Sequence, residues 1–243
     1  MSSAHDRLAG LIRSARSVVA LTGAGVSVPS GIPDFRSPGT GLWENVDPME
    51  VAHISVWRRS PERFWSFYGQ RFATLEGKQP NGAHLALAEL GVPVITQNID
   101  GLHAAAGSRE VIEIHGSIAT ASCQVDGTRY ELAETRARLE AAPDGVPRCD
   151  CGAPLKPDVT LFGELLDDAA MTRASALAAG ADLMLCVGSS LEVYPAAGLP
   201  ELTLQAGGRI AVVTKSETPY DRFAAVRLDG DVEDEMQAVL AAL

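Results

Sequence analysis

Short apolar runs alternate along the chain with amphipathic stretches. Residues 4–17 place Leu8, Leu11, Ile12 and Ala15 on one face of a helix, with Asp6, Arg7, Arg13 and Arg16 spaced between them. The apolar residues 18–21 then form a strand that enters Thr22-Gly23-Ala24-Gly25. Further strand-like runs fall at 93–96, 111–114, 182–187, 210–214 and 224–228. Helical patterns at 82–90, 167–178, 197–205 and 232–240 separate several of them. Asn81 suits an N-cap for the helix at 82–90, and Gly91 suits its stop. Strands alternating with helices predict an α/β fold with a mostly parallel sheet covered on both faces.

Two segments break the alternation. Residues 39–80 contain Trp43, Trp57, Phe64, Trp65, Phe67, Tyr68 and Phe72 in a helical context. Residues 118–157 contain three of the four cysteines, a charged helix near 131–141 and a stretch rich in proline and glycine. Both read as insertions between sheet elements that together build a small second domain.

Composition narrows the class. With 46% apolar and 21% charged residues among 243, the chain is neither disordered nor a membrane span. The most apolar stretch, 177–187, is short of the ~18 residues a spanning helix needs and is broken by Gly180 and Asp182. The N-terminus reads as an amphipathic helix and not as a signal peptide. Twenty basic against 31 acidic residues leave a net charge of −11, which repels phosphate backbones and argues against general nucleic-acid binding. A basic peptide would be attracted. Four cysteines are too few for a disulfide scaffold, so a reducing cytoplasm is the expected location.

Four clusters carry candidate chemistry. Gly23 and Gly25 match the start of a G-x-G-x-x-G turn, but Val28 stands at the third position, and no acidic residue follows at the usual distance. Such a turn can cradle a pyrophosphate or simply join a strand to a helix. Ile32-Pro33-Asp34-Phe35-Arg36 mixes charge, ring and proline in a glycine-flanked loop, a composition that more often covers a ligand than fills a core. Thr96-Gln97-Asn98-Ile99-Asp100-Gly101-Leu102-His103 follows an apolar strand, where open α/β sheets bind ligands, although its polar side chains could equally cap a helix. His115-Gly116 ends the next strand, and an imidazole there can take a proton at neutral pH.

Taken in order with Gly23-Ala24-Gly25-Val26-Ser27, Ser30-Gly31, Phe162-Gly163-Glu164 and Gly188-Ser189-Ser190-Leu191-Glu192-Val193-Tyr194-Pro195, these motifs resemble those of the sirtuins across roughly residues 18 to 230. The resemblance implies a Rossmann-like domain (1–38, 81–117 and 158–243) with an inserted small domain (39–80 and 118–157) made of a helical module and a zinc-ribbon-like cysteine module. It also implies NAD⁺-dependent removal of acyl groups from protein or peptide lysines, as a deacetylase and also a desuccinylase or demalonylase, giving nicotinamide and O-acyl-ADP-ribose. By the same resemblance, Asn98 and Asp100 line the nicotinamide and ribose pocket, and Gln97 holds a ribose hydroxyl. Phe35 covers the reacting centre, and His115 deprotonates a ribose hydroxyl. Gly23, Ala24, Gly25, Ser27, Asp34, Arg36, Gly188, Ser189 and Ser190 complete the dinucleotide contacts. Thr214 stands where sirtuins usually carry asparagine against the adenosine ribose.

Cys149-Asp150-Cys151-Gly152 resembles the second zinc pair of the family, while the first reads Cys123-Gln124-Val125-Asp126, with a carboxylate in place of one thiolate. One reading is a zinc site of Cys123, Asp126, Cys149 and Cys151; the other is a degenerate module that folds without metal. Cys186, inside an apolar strand, reads as core. Tyr68 and Arg71 share a helix face and, with Ala52 sixteen residues before Tyr68, resemble the acyl-reading residues of the desuccinylase and demalonylase subgroup. Mono-ADP-ribosyl transfer or NAD⁺ hydrolysis in the same pocket, and a non-enzymatic NAD⁺ sensor, are the competing readings. A pure sensor needs neither His115 nor Asn98.

Overall fold

The computed structural model describes residues 3–35, 39, 41–44, 46–75 and 77–243. Helix α1 (Ala4–Ser14) opens on a capping box in which the Ser3 hydroxyl accepts from Asp6 N–H. It ends three residues earlier than the apolar pattern predicts. The chain turns extended at Ala15 so that Arg16 N–H reaches the Asp182 carboxylate and the Ser17 carbonyl accepts from Leu183 N–H. Strand β1 (Val18–Thr22) follows, and then a 3₁₀ turn over Ala24–Ser30. Next come α2 (Pro48–Val51), α3 (Ile54–Arg59), α4 (Pro61–Leu75), α5 (Gly82–Leu90), β2 (Val94–Thr96), α6 (Leu102–Ala105) and β3 (Val111–Glu113). The cysteine segment forms β4 (Gly116–Cys123), β5 (Arg129–Glu131), α7 (Leu132–Ala141) and β6 (Leu155–Val159). The chain then closes through α8 (Asp168–Gly180), β7 (Leu183–Val187), α9 (Leu199–Gln205), β8 (Arg209–Val213), β9 (Ala224–Leu228) and α10 (Val232–Ala241).

Six strands form one parallel sheet in the order β3-β2-β1-β7-β8-β9. The chain leaves β1 toward β2 on one side and returns at β7 on the other, so the direction of winding reverses between β1 and β7. A crevice opens at the carboxyl edge of such a switch point, and ligands bind there in open α/β sheets. Alternate strand residues serve opposite faces. Ala20, Leu183, Leu185 and Val213 pack under α1, α5 and α10 with Leu8, Leu87, Met236 and Val239. Val19, Leu21, Met184, Cys186 and Ile210 pack under α8 and α9 with Ala174, Ala178 and Leu199. Burial on both faces is why these strands read as unbroken apolar runs.

A smaller antiparallel sheet, β5-β4-β6, lies beside the helical segment. Phe64, Trp65, Tyr68 and Phe72 of α4 form a third core with Ile118, Ala121, Leu155 and Leu161. The indole N–H groups of Trp57 and Trp65 both donate to the Leu155 carbonyl, at 3.0 Å each. The two inserted segments are thereby tied to each other. No helix among the described residues is long and apolar enough to cross a membrane.

Candidate active site

The cleft between β1 and β7 begins with a backbone crossing. Gly25 N–H donates to the Gly188 carbonyl at 2.8 Å. A Cβ on Gly25 would sit 2.7 Å from that oxygen, and one on Gly188, whose φ is +63°, would sit 2.1 Å from Val26 N. The glycines of both motifs are therefore required by each other, whatever ligand approaches them. The turn after Gly23 is a 3₁₀ coil containing Pro29, not the α-helix a dinucleotide fingerprint ordinarily opens.

Above this crossing, short polar bonds gather the side chains from the ends of β1 and β2. Asn98 Nδ2 donates to the Gly23 carbonyl at 3.2 Å and to Ser27 Oγ at 3.0 Å. Ser27 Oγ donates to Asp100 at 2.7 Å, and the other Asp100 oxygen accepts from Leu102 N–H. Asp100 thus holds the first N–H of α6 and faces the cleft at once. Gln97 Nε2 donates to Ser189 Oγ at 2.9 Å, bridging the two sides of the crevice. Thr214, at the end of β8, is buried with its hydroxyl 3.4 Å from Ser216 Oγ.

His115 Nδ1 lies 2.8 Å from the Gln97 carbonyl oxygen. A carbonyl only accepts, so Nδ1 carries the hydrogen and Nε2 keeps its lone pair. Burial pushes the His115 pKa below the ordinary imidazole value, opposed by that hydrogen bond. The ring is therefore neutral at pH 7 and competent to accept a proton at Nε2.

Behind the polar cluster lie two buried histidines. His84, in the capping box of α5, accepts from Asn81 N–H at Nδ1 and meets Ser27 Oγ through Nε2 at 3.4 Å. His103 Nε2 lies 2.9 Å from Thr22 Oγ1, which donates on to Thr96 Oγ1. The rings are 4.7 Å apart, and burial holds their pKa values at about 4 for His84 and about 3 for His103. Sequence reasoning passed over His84. Its signal is a lone imidazole in the apolar helix Gly82-Ala83-His84-Leu85-Ala86-Leu87.

One continuous cavity of about 1140 Å³ joins Gln97, Asn98, Asp100 and His115 to Ala52, Tyr68 and Arg71 at one end and to Gly188, Ser190 and Thr214 at the other. Small-molecule pockets usually occupy ~300–1,000 Å³, so a dinucleotide and a long side chain fit together. At the inner end Phe35 stacks on Trp43 at 5.2 Å, and the Arg71 guanidinium carbon lies 4.8 Å from the Phe35 ring centroid. Arg71 has no ion-pair partner among the described residues; Tyr68 and Asp100 act on it only at a distance. Burial raises the Tyr68 pKa to about 12, so its hydroxyl stays a donor. Asp34 also lines the cavity, whereas Arg36 lies outside the described residues.

In the small sheet, the ligand atoms of Cys123, Asp126, Cys149 and Cys151 all lie within 4.8 Å of one another. The Cys123 and Cys151 sulfurs are 3.6 Å apart, and Cys149 Sγ is 3.2 Å from Asp126 Oδ2. Four ligands around a tetrahedral zinc stand roughly 3–4 Å from each other, so the donor set fits such an ion. Val125 N–H and Tyr130 O–H donate to the Cys123 and Cys149 sulfurs, an outer shell of the kind that stabilises thiolate ligands. Cys186 lies apart in the core, its thiol pushed up to about 12 by burial.

An NAD-dependent protein deacetylase of Sulfolobus acidocaldarius is 42% identical over 240 residues, covering 97% of this chain and 93% of its own. The NAD-dependent protein deacylase Sir2 of Mycolicibacterium smegmatis is 39% identical over 235 residues, covering 93% and 96%. A solved Sir2 structure with a deacetylated p53 peptide and acetyl ADP ribose superposes with a TM-score of 0.91 at 38% identity, covering 96% of both chains. Sir2Tm bound to a propionylated peptide superposes at 0.87, again at 38% identity and 96% of each chain. Residues 23–195 match the Sir2 family, and the chain belongs to it.

Proposed function

We propose that the protein is an NAD⁺-dependent protein-lysine deacylase with His115 as its general base and a preference for acidic acyl groups. The observation that carries the reading is His115, fixed through Nδ1 to the Gln97 carbonyl, in the wall of a cavity large enough for two substrates. Its relatives are named deacetylases and a deacylase, which supports the same class of reaction.

NAD⁺ supplies the activated ribose carbon, the nicotinamide leaving group and the hydroxyl that accepts the acyl group. Gly23, Ala24, Gly25, Ser27, Asp34, Arg36, Gln97 and Gly188 through Ser190 would hold it, with Thr214 toward the adenosine end. Asn98 and Asp100, already locked by Ser27, would meet the ribose and nicotinamide without reorganising, which is where preorganised dipoles act best. Phe35 and Trp43 shut water out beside them. His115 would take the proton of a ribose hydroxyl at Nε2.

The acyl preference rests on Arg71. A carboxylate leaving water needs a paired cation, and a half-buried guanidinium with no ion-pair partner among the described residues offers a bidentate one. Tyr68 adds a hydroxyl donor, and Ala52 leaves room for a longer chain. We further infer that zinc is held by Cys123, Asp126, Cys149 and Cys151, as a structural ion that fixes the small sheet. The function is tested by mixing protein and NAD⁺ with and without an acyl-lysine peptide. Nicotinamide release that requires the peptide is the expected result; equal release without it would mark an NAD⁺ hydrolase.

A further inference from the structure

Strand β6 carries a lysine at a position that a sheet interior seldom tolerates. Lys156 is 7% exposed, and its ammonium donates to the Val159 carbonyl at 2.9 Å and the Pro157 carbonyl at 3.2 Å. The Glu164 carboxylate lies 3.0 Å away. Three donors meet three acceptors, so the buried charge is fully satisfied. Such a charge is costly to desolvate, and nothing in the reaction uses it as an acid or base.

Its acceptors bracket one loop. Between them runs residues 160–163, and Leu161 N–H donates to the same Glu164 oxygen at 2.9 Å. Each end of this loop touches the active site. Thr160 N–H donates to the His115 carbonyl at 2.8 Å. Phe162 N–H donates to the Ala52 carbonyl, and its own carbonyl accepts from Ile54 N–H, at 3.1 and 2.9 Å. Gly163 has φ +83°, and a Cβ there would press to 2.5 Å from His53 Nε2. The loop is thus pinned from below by Lys156 and from the side by the backbone bonds to Ala52 and Ile54. Its outer face stays bare: Phe162 is 40% exposed and Leu165 is 92% exposed, both lining the cavity mouth.

We infer that Lys156 is a positioning residue: through Glu164 and the Val159 carbonyl it holds the 160–165 loop as the lip on which the acyl-lysine peptide lies. The inference rests on the reading of the cavity as an acyl-peptide site. Without the ammonium, Glu164 loses its cation and the loop loses the bonds that tie it to the end of β6. The adenosine end of the dinucleotide site, at Gly188 through Ser190 after β7 and Thr214 after β8, shares none of these bonds.

Equilibrium binding tests it in the full-length protein, using a labelled acyl-lysine peptide and, separately, ADP-ribose. Lys156→Met is expected to weaken peptide binding about tenfold or more while ADP-ribose affinity stays within about twofold. Lys156→Arg should restore most of the loss. A Glu164→Gln variant combined with Lys156→Met should be no worse than Lys156→Met alone, because both act through one pair. Equal weakening of both ligands in step with a lower Tm, or unchanged peptide affinity in Lys156→Met, would overturn the assignment. Because the readout is binding, a wild-type protein that binds the peptide without turning it over would sink the deacylase reading alone. The lip would still be decided by the same two affinities.

Discussion

Replacing Arg71 with Met removes the guanidinium and keeps an unbranched apolar stem to lie against Phe35, whose ring centroid is 4.8 Å from the Arg71 guanidinium carbon. No acid among the described residues is paired with Arg71, so its loss strands no buried carboxylate partner and the fold should tolerate it. On the proposed reading, the substitution removes the partner for a negatively charged acyl group. A hydrogen bond to a charged group is worth about 2–3 kcal/mol here, a factor of roughly 30–150 in a rate ratio. An acetyl group has no charge to lose and should be spared. The assay is kcat/KM for matched succinyl-lysine and acetyl-lysine peptides, with the ratio of the two compared between wild type and Arg71→Met. Parallel losses on both peptides, or a wild-type enzyme that favours acetyl-lysine by kcat/KM, would show that Arg71 does not read the acyl group.

Three further outcomes follow from the geometry. His115→Tyr should bind NAD⁺ much as wild type does while turnover falls by about 10² or more, and wild-type activity should persist below the ordinary imidazole range because burial lowers the His115 pKa; near-normal turnover of the variant would remove His115 from the role of base. Protein prepared without chelator should contain about one zinc per chain and lose it, with a lower Tm, in Cys151→Ala; metal-free protein of equal stability would favour a module that folds unaided. Stability should fall as pH drops from 6.5 toward 5. The unfolded chain protonates histidine near 6.5, while buried His84 and His103 do so only at about 4 and about 3, so the unfolded state binds more protons in that window. Each histidine adds a slope approaching 1.4 kcal/mol per pH unit, by order of magnitude. A melting temperature flat across that range would contradict their neutral burial.

The parallel sheet was legible because β1, β7 and β8 are buried on both faces and read as continuous apolar runs bounded by glycine or polar turns. The small sheet was not. β4 presents small and polar residues such as Thr120 and Ser122, and β6 is interrupted by Lys156 and Pro157, so neither shows a period of two. The site was readable where its residues crowd onto the ends of strands, as Gln97, Asn98, Asp100 and His115 do. His84 and Lys156 escaped because their importance lies in what surrounds them. One lies under Ser27 and the other under Glu164, 57 and 8 residues away along the chain. The paired glycines Gly25 and Gly188 were visible as motifs, yet their mutual contact, 163 residues apart, appears only in the fold.

The fate of the acyl group is the most direct test of the proposed chemistry. Protein, NAD⁺ and a succinyl-lysine peptide are incubated, and the products are resolved by mass spectrometry. Deacylated peptide, nicotinamide and an ADP-ribose carrying the succinyl group should form in equal amounts, as transfer to a ribose hydroxyl activated by His115 requires. Free succinate formed at once with unmodified ADP-ribose, or a peptide that gains ADP-ribose and keeps its acyl group, would contradict it.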